Sequence, residues 1–268
     1  MGYYLNNQPT PRPRFIVDAH KEKAQATDVF RAHRQNVIYS NNHKVSNILN
    51  NTFLQGKSVF IIGGGYSIAH FDFDVLSRQK IITINRAWEY CQSDIWYGMD
   101  TPYIEQMKHG GLNNKSKYGN KLYTAWQKMP SIKVFACPNF SYNFDPSVYL
   151  VRKLKTLDFP LDVCRGIYTG NNSGTGAISL AASLGARIIY LLGFDMKMGV
   201  DENNKEHSHF HQGYLESGID RKAKFEKYKQ DIGELANFLR IAEVRVYNLN
   251  PDSALTCFPF LSLGEALR

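Results

Sequence analysis

Histidines, glycine turns and polar strand ends are the residues of this 268-residue chain whose types and spacing suit chemistry. In His207-Ser208-His209-Phe210-His211 an imidazole recurs at every second residue. Such a group changes protonation state near neutral pH, so one of them can take a proton from a reacting hydroxyl. The same spacing would hold a metal only on a backbone that a loop seldom provides, and an exposed loop without a chemical role is the alternative reading. Upstream, Gly63-Gly64-Gly65-Tyr66-Ser67 follows the apolar run Val59-Phe60-Ile61-Ile62. Glycines there allow a ligand close to the backbone, and Ser67 offers a hydroxyl. Ile68 stands where a dinucleotide fingerprint needs its third glycine, and no Gly-Lys-Ser/Thr follows, so neither a dinucleotide site nor a P-loop is indicated. A tight strand-to-helix turn asks for the same residues.

The second glycine-rich mouth is Gly170-Asn171-Asn172-Ser173-Gly174, which opens a helix of small residues. Backbone N–H groups at a helix start attract anions such as phosphate or carboxylate. The apolar run that follows ends in Gly193-Phe194-Asp195 and delivers Asp195 to the carboxyl end of a strand, where ligands of open α/β sheets sit. Asn85 and Arg86 end one further strand and Asp100 another. Any one of these is explained as a cap or turn; together at consecutive strand ends they point to a nucleotide-type ligand and an enzyme.

The elements that must position these residues are short continuous runs of Val, Ile and Phe, bounded by Gly and Asn. They predict strands at 58–62, 80–84, 94–98, 133–137, 187–192 and 245–248, of the kind buried on both faces of a parallel sheet. The connections are long enough for crossovers, so the fold class is α/β, a doubly wound, mainly parallel Rossmann-like sheet. Residues 220–242 predict the clearest helix. Phe225, Tyr228, Ile232, Leu235 and Leu239 form its apolar stripe, and Lys222, Lys224, Lys227, Lys229 and Glu234 a solvated face. Residues 101–162, rich in Tyr, Phe and Trp, are expected as helices and loops over the sheet, a lid or insert within a catalytic domain spanning 57–268. Aromatics in a helical cap pack more often than they stack on a base.

Residues 1–56 read as a basic appendage. Pro9, Pro11 and Pro13 enforce an extended arm, and Arg12, Arg14, Lys21, Lys23, Arg31, Arg34 and Lys44 outweigh Asp18, Glu22 and Asp28. The arm suits a polyanion such as nucleic acid or a contact with another subunit of a homo-oligomer. Formal net charge is +8, which favours anionic partners without choosing among them, and no helix-turn-helix, zinc-finger or RNP signature accompanies it. No apolar run reaches the roughly 18–20 residues of a membrane span. The start lacks the layout of a secretory signal, and Asn6 occupies the place where a myristoylation motif needs Ser or Thr; a cytoplasmic protein is expected. Cys91, Cys137, Cys164 and Cys257 form no C-x-x-C pair, so no disulfide framework or zinc site is indicated.

With these motifs in order, residues 57–262 resemble the bacterial CMP-sialic-acid-dependent sialyltransferases. They also resemble the wider superfamily that includes archaeal 6-hydroxymethyl-dihydropterin diphosphokinases and uncharacterised phage proteins. The family's Gly-x-Gly-Pro-Ser-Leu loop is matched by Gly63-Gly64-Gly65-Tyr66-Ser67-Ile68, its strand-end Asn by Asn85, and its Ser-Gly helix start by Ser173-Gly174. Its Gly-x-Asp is matched by Gly193-Phe194-Asp195, its Ser-His-Tyr segment by Ser208-His209-Phe210, and its Cys-Pro-Asn-Ser segment by Asn250-Pro251-Asp252-Ser253. Where those sialyltransferases carry an Arg three residues before the Ser-Gly, this chain has Gly170. Where they carry tyrosines after the Gly-x-Asp, it has Met196, Lys197 and Met198.

The resemblance implies a glycosyltransferase that moves a sugar from a nucleotide-activated donor, CMP-linked or other, to a hydroxyl acceptor with inversion and without a metal. On this reading His209 is the general base, with His211 as substitute. Gly63, Gly64, Gly65, Ser67, Asn85 and Asp100 hold the nucleotide. Asn172, Ser173 and Gly174 grip the donor, Asp195 and Ser253 complete the binding site, and Lys197 stabilises the leaving phosphate. The alternative within the superfamily is a pyrophosphokinase-like enzyme acting on a pterin-type hydroxymethyl group, with Mg²⁺ on Asp100 and Asp195. A third reading, from another class, is a nucleic-acid-binding protein that engages DNA through the basic arm. The acceptor on these readings is a glycan or a modified nucleobase of phage-type DNA.

Overall fold

The computed structural model describes the backbone of residues 39–40 and 43–44, and residues 52–110, 116–138, 145, 147–157, 161–211 and 220–268. Of the arm expected over residues 1–56, residues 1–51 lie outside the described residues apart from those two pairs. Residues 52–56 belong to the folded unit: Leu54 is buried, and its N–H donates to the Leu184 carbonyl.

The core is an eight-stranded sheet, parallel in every pairing. In chain order the strands are β1 (Ser58–Ile62), β2 (Ile81–Ile84), β3 (Ile95–Gly98), β4 (Ile132–Cys137), β5 (Val148–Leu154), β6 (Ile167–Tyr168), β7 (Ile188–Leu192) and β8 (Arg245–Asn248). In space they run β8-β7-β1-β2-β3-β4-β5-β6. The chain therefore moves outward from β1 to β6, returns to the far side of β1 and moves outward again. The order reverses between β1 and β7, and in an open parallel sheet the carboxyl ends at such a reversal leave a crevice.

Successive side chains of a strand point to opposite faces, and the core divides accordingly. Val59, Ile61, Ile82, Ile84, Ile95, Tyr97, Ile189 and Leu191 point to one face, where they meet α3 (Ser173–Ser183) and α4 (Arg221–Ile241). Toward β8, Phe60, Ile62, Tyr190 and Leu192 fill the other face beneath the C-terminal segment and α5 (Leu263–Ala266). Farther along that face, Trp96, Phe135 and Cys137 meet α1 (Thr101–His109) and α2 (Leu122–Lys128). Small residues make α3 fit: every residue from Thr175 to Ser183 is buried, and at Gly176 a Cβ would overlap the Tyr97 hydroxyl.

Six of the eight strands fall where the sequence places them, within a residue at their ends. The helices-and-loops expectation for residues 101–162 needs correction. Beyond β4, this stretch adds β5, which pairs with β4 over Lys133 to Cys137. Just after it, β6 closes the edge. The described aromatics of the stretch pack: Tyr103, Trp126 and Tyr123 belong to the α1–α2 cluster, and Tyr118 stacks on Trp88 with ring centroids 5.1 Å apart. Phe140, Tyr142 and Phe144 lie outside the described residues. No helix among the described residues is long and apolar enough to cross a membrane.

Candidate active site

The crevice at the β1/β7 reversal is a cleft of about 170 Å³. Every element that reaches it contributes: the backbone of Gly63, Gly64 and Gly65 after β1, Asn85 after β2 and Asp100 after β3. The turn at Asn171 to Gly174 opening α3, residues 193 to 197 after β7, Ser208, His209 and His211, and the start of α4 complete the wall. Of the expected site residues, Ser67 and Ser253 are not in the lining.

Asp195 shows why. Its carboxylate is buried and accepts from the Ser67 N–H at 2.8 Å, the Ser67 hydroxyl at 2.5 Å and the Asn250 side-chain amide at 3.0 Å. Ser253 donates to the Phe194 carbonyl at 2.6 Å. Both serines are thus spent on a clasp that ties the glycine loop and the turn after β8 to the end of β7. The glycines serve the same clasp. A Cβ on Gly65 would lie 2.5 Å from the Asp195 carboxyl carbon, and one on Gly63 would lie 2.6 Å from the Gly193 carbonyl oxygen. A Cβ on Gly64 would lie 2.8 Å from the His209 ring, so a bare backbone lets the imidazole settle against the loop.

Asn172, expected to grip a ligand, lines the cleft and also has a structural task. Asn172 is the N-cap of α3: its side-chain oxygen accepts from the Thr175 N–H at 2.8 Å, and its amide donates to the Thr175 hydroxyl at 2.7 Å. The neighbouring turn is held from α4, where Asp231 accepts from the Asn171 backbone N–H at 2.8 Å and its side-chain amide at 3.0 Å. Ser173 does face the cleft, and its hydroxyl donates to Asp100 Oδ2 at 3.4 Å. Asn85 donates to the same oxygen at 3.3 Å. Asn85 holds φ of +48°, a region L residues seldom enter, and Trp96 Nε1–H fixes it by donating to the Asn85 carbonyl at 2.8 Å.

The histidine run divides by function. His207 turns away from the cleft, paired with Asp201 at 2.8 Å and stacked on Tyr66. His209 and His211 line the cleft with ring centroids 5.4 Å apart. Burial, reinforced by the positive charges of Arg221 and Arg86, pushes His209 down to about 4. Burial, then His209 and Arg86, hold His211 well below the usual imidazole range. Both are neutral at pH 7. His209 Nδ1 sits 2.8 Å from the Ser208 hydroxyl; with Nδ1 donating there, Nε2 carries the lone pair. Arg86 itself forms a fully buried pair with Glu89, Nε to Oε1 at 2.5 Å and Nη2 to Oε2 at 3.0 Å. Among the described residues no group of three or more His, Cys, Asp or Glu side chains is arranged to hold a metal. Asp195, one of the two carboxylates the Mg²⁺ reading needs, has both oxygens engaged by protein donors.

Sequence reasoning missed one wall. Arg221, Lys224, Phe225 and Tyr228 line the cleft, although Lys224 was assigned to a solvated face and the two aromatics to the core stripe. The four stand at i, i+3, i+4 and i+7, a single face of α4. Farther along the helix that face becomes core, where Ile232, Leu235 and Leu239 are buried. The signal was present as a stripe whose first two turns carry cations instead of aliphatics. With the exposed Lys197, Arg221 and Lys224 give the cleft three cationic side chains.

No family model matches the chain, and no curated protein sequence does. Among solved structures it is similar to a point variant of the sialyltransferase Cst-II in complex with CMP, at 16% identity, 76% of this chain, 86% of that chain and a TM-score of 0.45. It is similar to the monofunctional alpha-2,3-sialyltransferase Cst-I from Campylobacter jejuni at 18% identity, over 76% and 80% of the two chains, with a TM-score of 0.44. For CstII from Campylobacter jejuni with cytidine-5'-monophosphate the values are 15%, 76%, 84% and 0.38. So distant a likeness leaves the functional reading to the geometry of the site.

Proposed function

We propose that the chain is a glycosyltransferase that moves a sugar from a nucleotide-activated donor to a hydroxyl acceptor by a single inverting displacement. The observation that carries this reading is the sharing of one cleft by a neutral imidazole pair, His209 and His211, and a cationic wall of Lys197, Arg221 and Lys224. A base for a hydroxyl and a counter-charge for a departing phosphate are the two needs of that reaction. The aromatic rings of Phe225 and Tyr228 in the same wall supply faces for a base or a sugar.

In the displacement, His209 Nε2 takes the acceptor hydroxyl proton while the oxygen forms its bond to the anomeric carbon. The bond from that carbon to the phosphate oxygen breaks, and its electron pair leaves with the nucleotide, where Lys197, Arg221 and Lys224 offset the charge. His209 is favoured over His211 because it keeps some exposure to the cleft whereas His211 is buried, so an acceptor reaches it first. Donor hydrolysis and transfer measured across CMP-, UDP- and GDP-sugars test the reading; a folded protein that binds none of them overturns it. In a positive case, His209→Ala lowers turnover by about 10²–10⁴-fold with donor affinity nearly unchanged. Full activity of the His209→Ala, His211→Ala double variant would remove histidine catalysis.

A further inference from the structure

The start of α3 is the place in this cleft where a negatively charged part of a ligand would gain most from backbone N–H groups. The protein has put its own carboxylate there. Asp100 Oδ2 accepts from the Ser173 hydroxyl at 3.4 Å and from the Asn85 amide at 3.3 Å. Among the described residues no hydrogen bond falls on Oδ1, while Asp100 lines the cleft and is only half-buried. The titratable groups that feel its charge are Lys153, whose ammonium donates to the Met99 carbonyl at 3.0 Å, and the phenols of Tyr97 and Tyr228, which burial first and then Asp100 hold in the neutral form. The cations that line the cleft, Lys197, Arg221 and Lys224, come from the end of β7 and from α4. The cleft therefore carries both signs, a carboxylate that meets Ser173 at the α3 mouth and cations from the turn after β7 and the first turns of α4.

We infer that the transferred sugar is uncharged, and that Asp100 Oδ1 accepts from its hydroxyls while the α4 side takes the phosphate. A carboxylate acceptor excludes an acidic sugar from the α3 mouth, because two carboxylates at contact distance repel unless one is protonated. A carboxylate accepting from hydroxyls has no such penalty and forms charge-assisted hydrogen bonds. This rests on the nucleotide-sugar reading above and adds the class of sugar to it.

Matched donor pairs test it on the full-length protein by calorimetry: UDP-glucose with UDP-glucuronate, GDP-mannose with GDP-mannuronate, and CMP-N-acetylneuraminate with its methyl ester. CMP, UMP and GMP serve as sugar-free references. The neutral member of the accepted pair is expected to bind about tenfold or more tightly than its acidic partner, and Asp100→Asn is expected to shrink that ratio. Binding of a nucleotide with equal or greater affinity for the acidic member overturns the uncharged-sugar inference and leaves the glycosyltransferase reading standing. A neutral preference that Asp100→Asn leaves unchanged overturns the assignment to Asp100. Failure to bind any nucleotide or nucleotide sugar overturns both readings.

Discussion

Asp195 does more for this site than line its wall. Its carboxylate is the common acceptor for Ser67 and Asn250, so Asp195→Ala strands several donors in a buried place. A loss of about 3 kcal/mol in urea unfolding is expected. Gly65→Ala is expected to cost about 1–3 kcal/mol, because its new methyl would lie 2.5 Å from the Asp195 carboxyl carbon. The cause of that cost is the carboxylate itself, so the two losses are not additive. Gly65→Ala introduced into an Asp195→Ala background should cost little. Two full, additive losses would show that Gly65 answers to something other than Asp195. From sequence alone both residues looked like ligand groups. What sequence could not reveal is that Asp195 and Ser67, 128 positions apart, meet each other.

At the scale of elements, the sequence was most legible where burial on both faces forces a continuous apolar run. β1, β2, β3 and β7 are almost wholly buried, and each was placed correctly. β5 escaped because its burial falls away toward its end, at Arg152, Lys153 and Leu154, which breaks the apolar run that marks a central strand. The α4 wall escaped for a related reason: Phe225 and Tyr228 fit a core stripe equally well, and only the packing shows that the stripe changes surroundings near Asp231. The start of α3 allows a direct check of cap against ligand group. Asn172→Ala should lower stability by about 1 kcal/mol, with Asn172→Asp or Asn172→Ser restoring most of it, and nucleotide affinity should be unchanged. A drop in affinity with unaltered urea unfolding would return Asn172 to the binding site.

The whole molecule places two neutral imidazoles under its switch-point crevice, and that has a consequence for stability against pH. In the unfolded chain His209 and His211 titrate near 6.5, the ordinary imidazole value. In the folded protein, desolvation, then Arg221 and Arg86, hold His209 at about 4; desolvation, then His209 and Arg86, hold His211 well below the usual range. Between those values the unfolded chain binds protons that the folded protein refuses. Stability is therefore fully present above about pH 6.5 and is lost as pH falls toward 4. For His209 alone the loss is at most about 3 kcal/mol, at 1.36 kcal/mol per pKa unit. Lowered carboxylates such as Asp145, held down by Ser147 and Gln127 against its partial burial, add their own loss nearer pH 4, so the histidine share must be read by difference. Urea midpoints of the wild type and a His209→Gln, His211→Gln variant, compared at pH 7.5 and pH 5, isolate it. The wild type should lose markedly more stability than the variant between those two values. Parallel curves would mean that the cleft accepts charged imidazoles, and with that the case for a neutral base at pH 7 would fall.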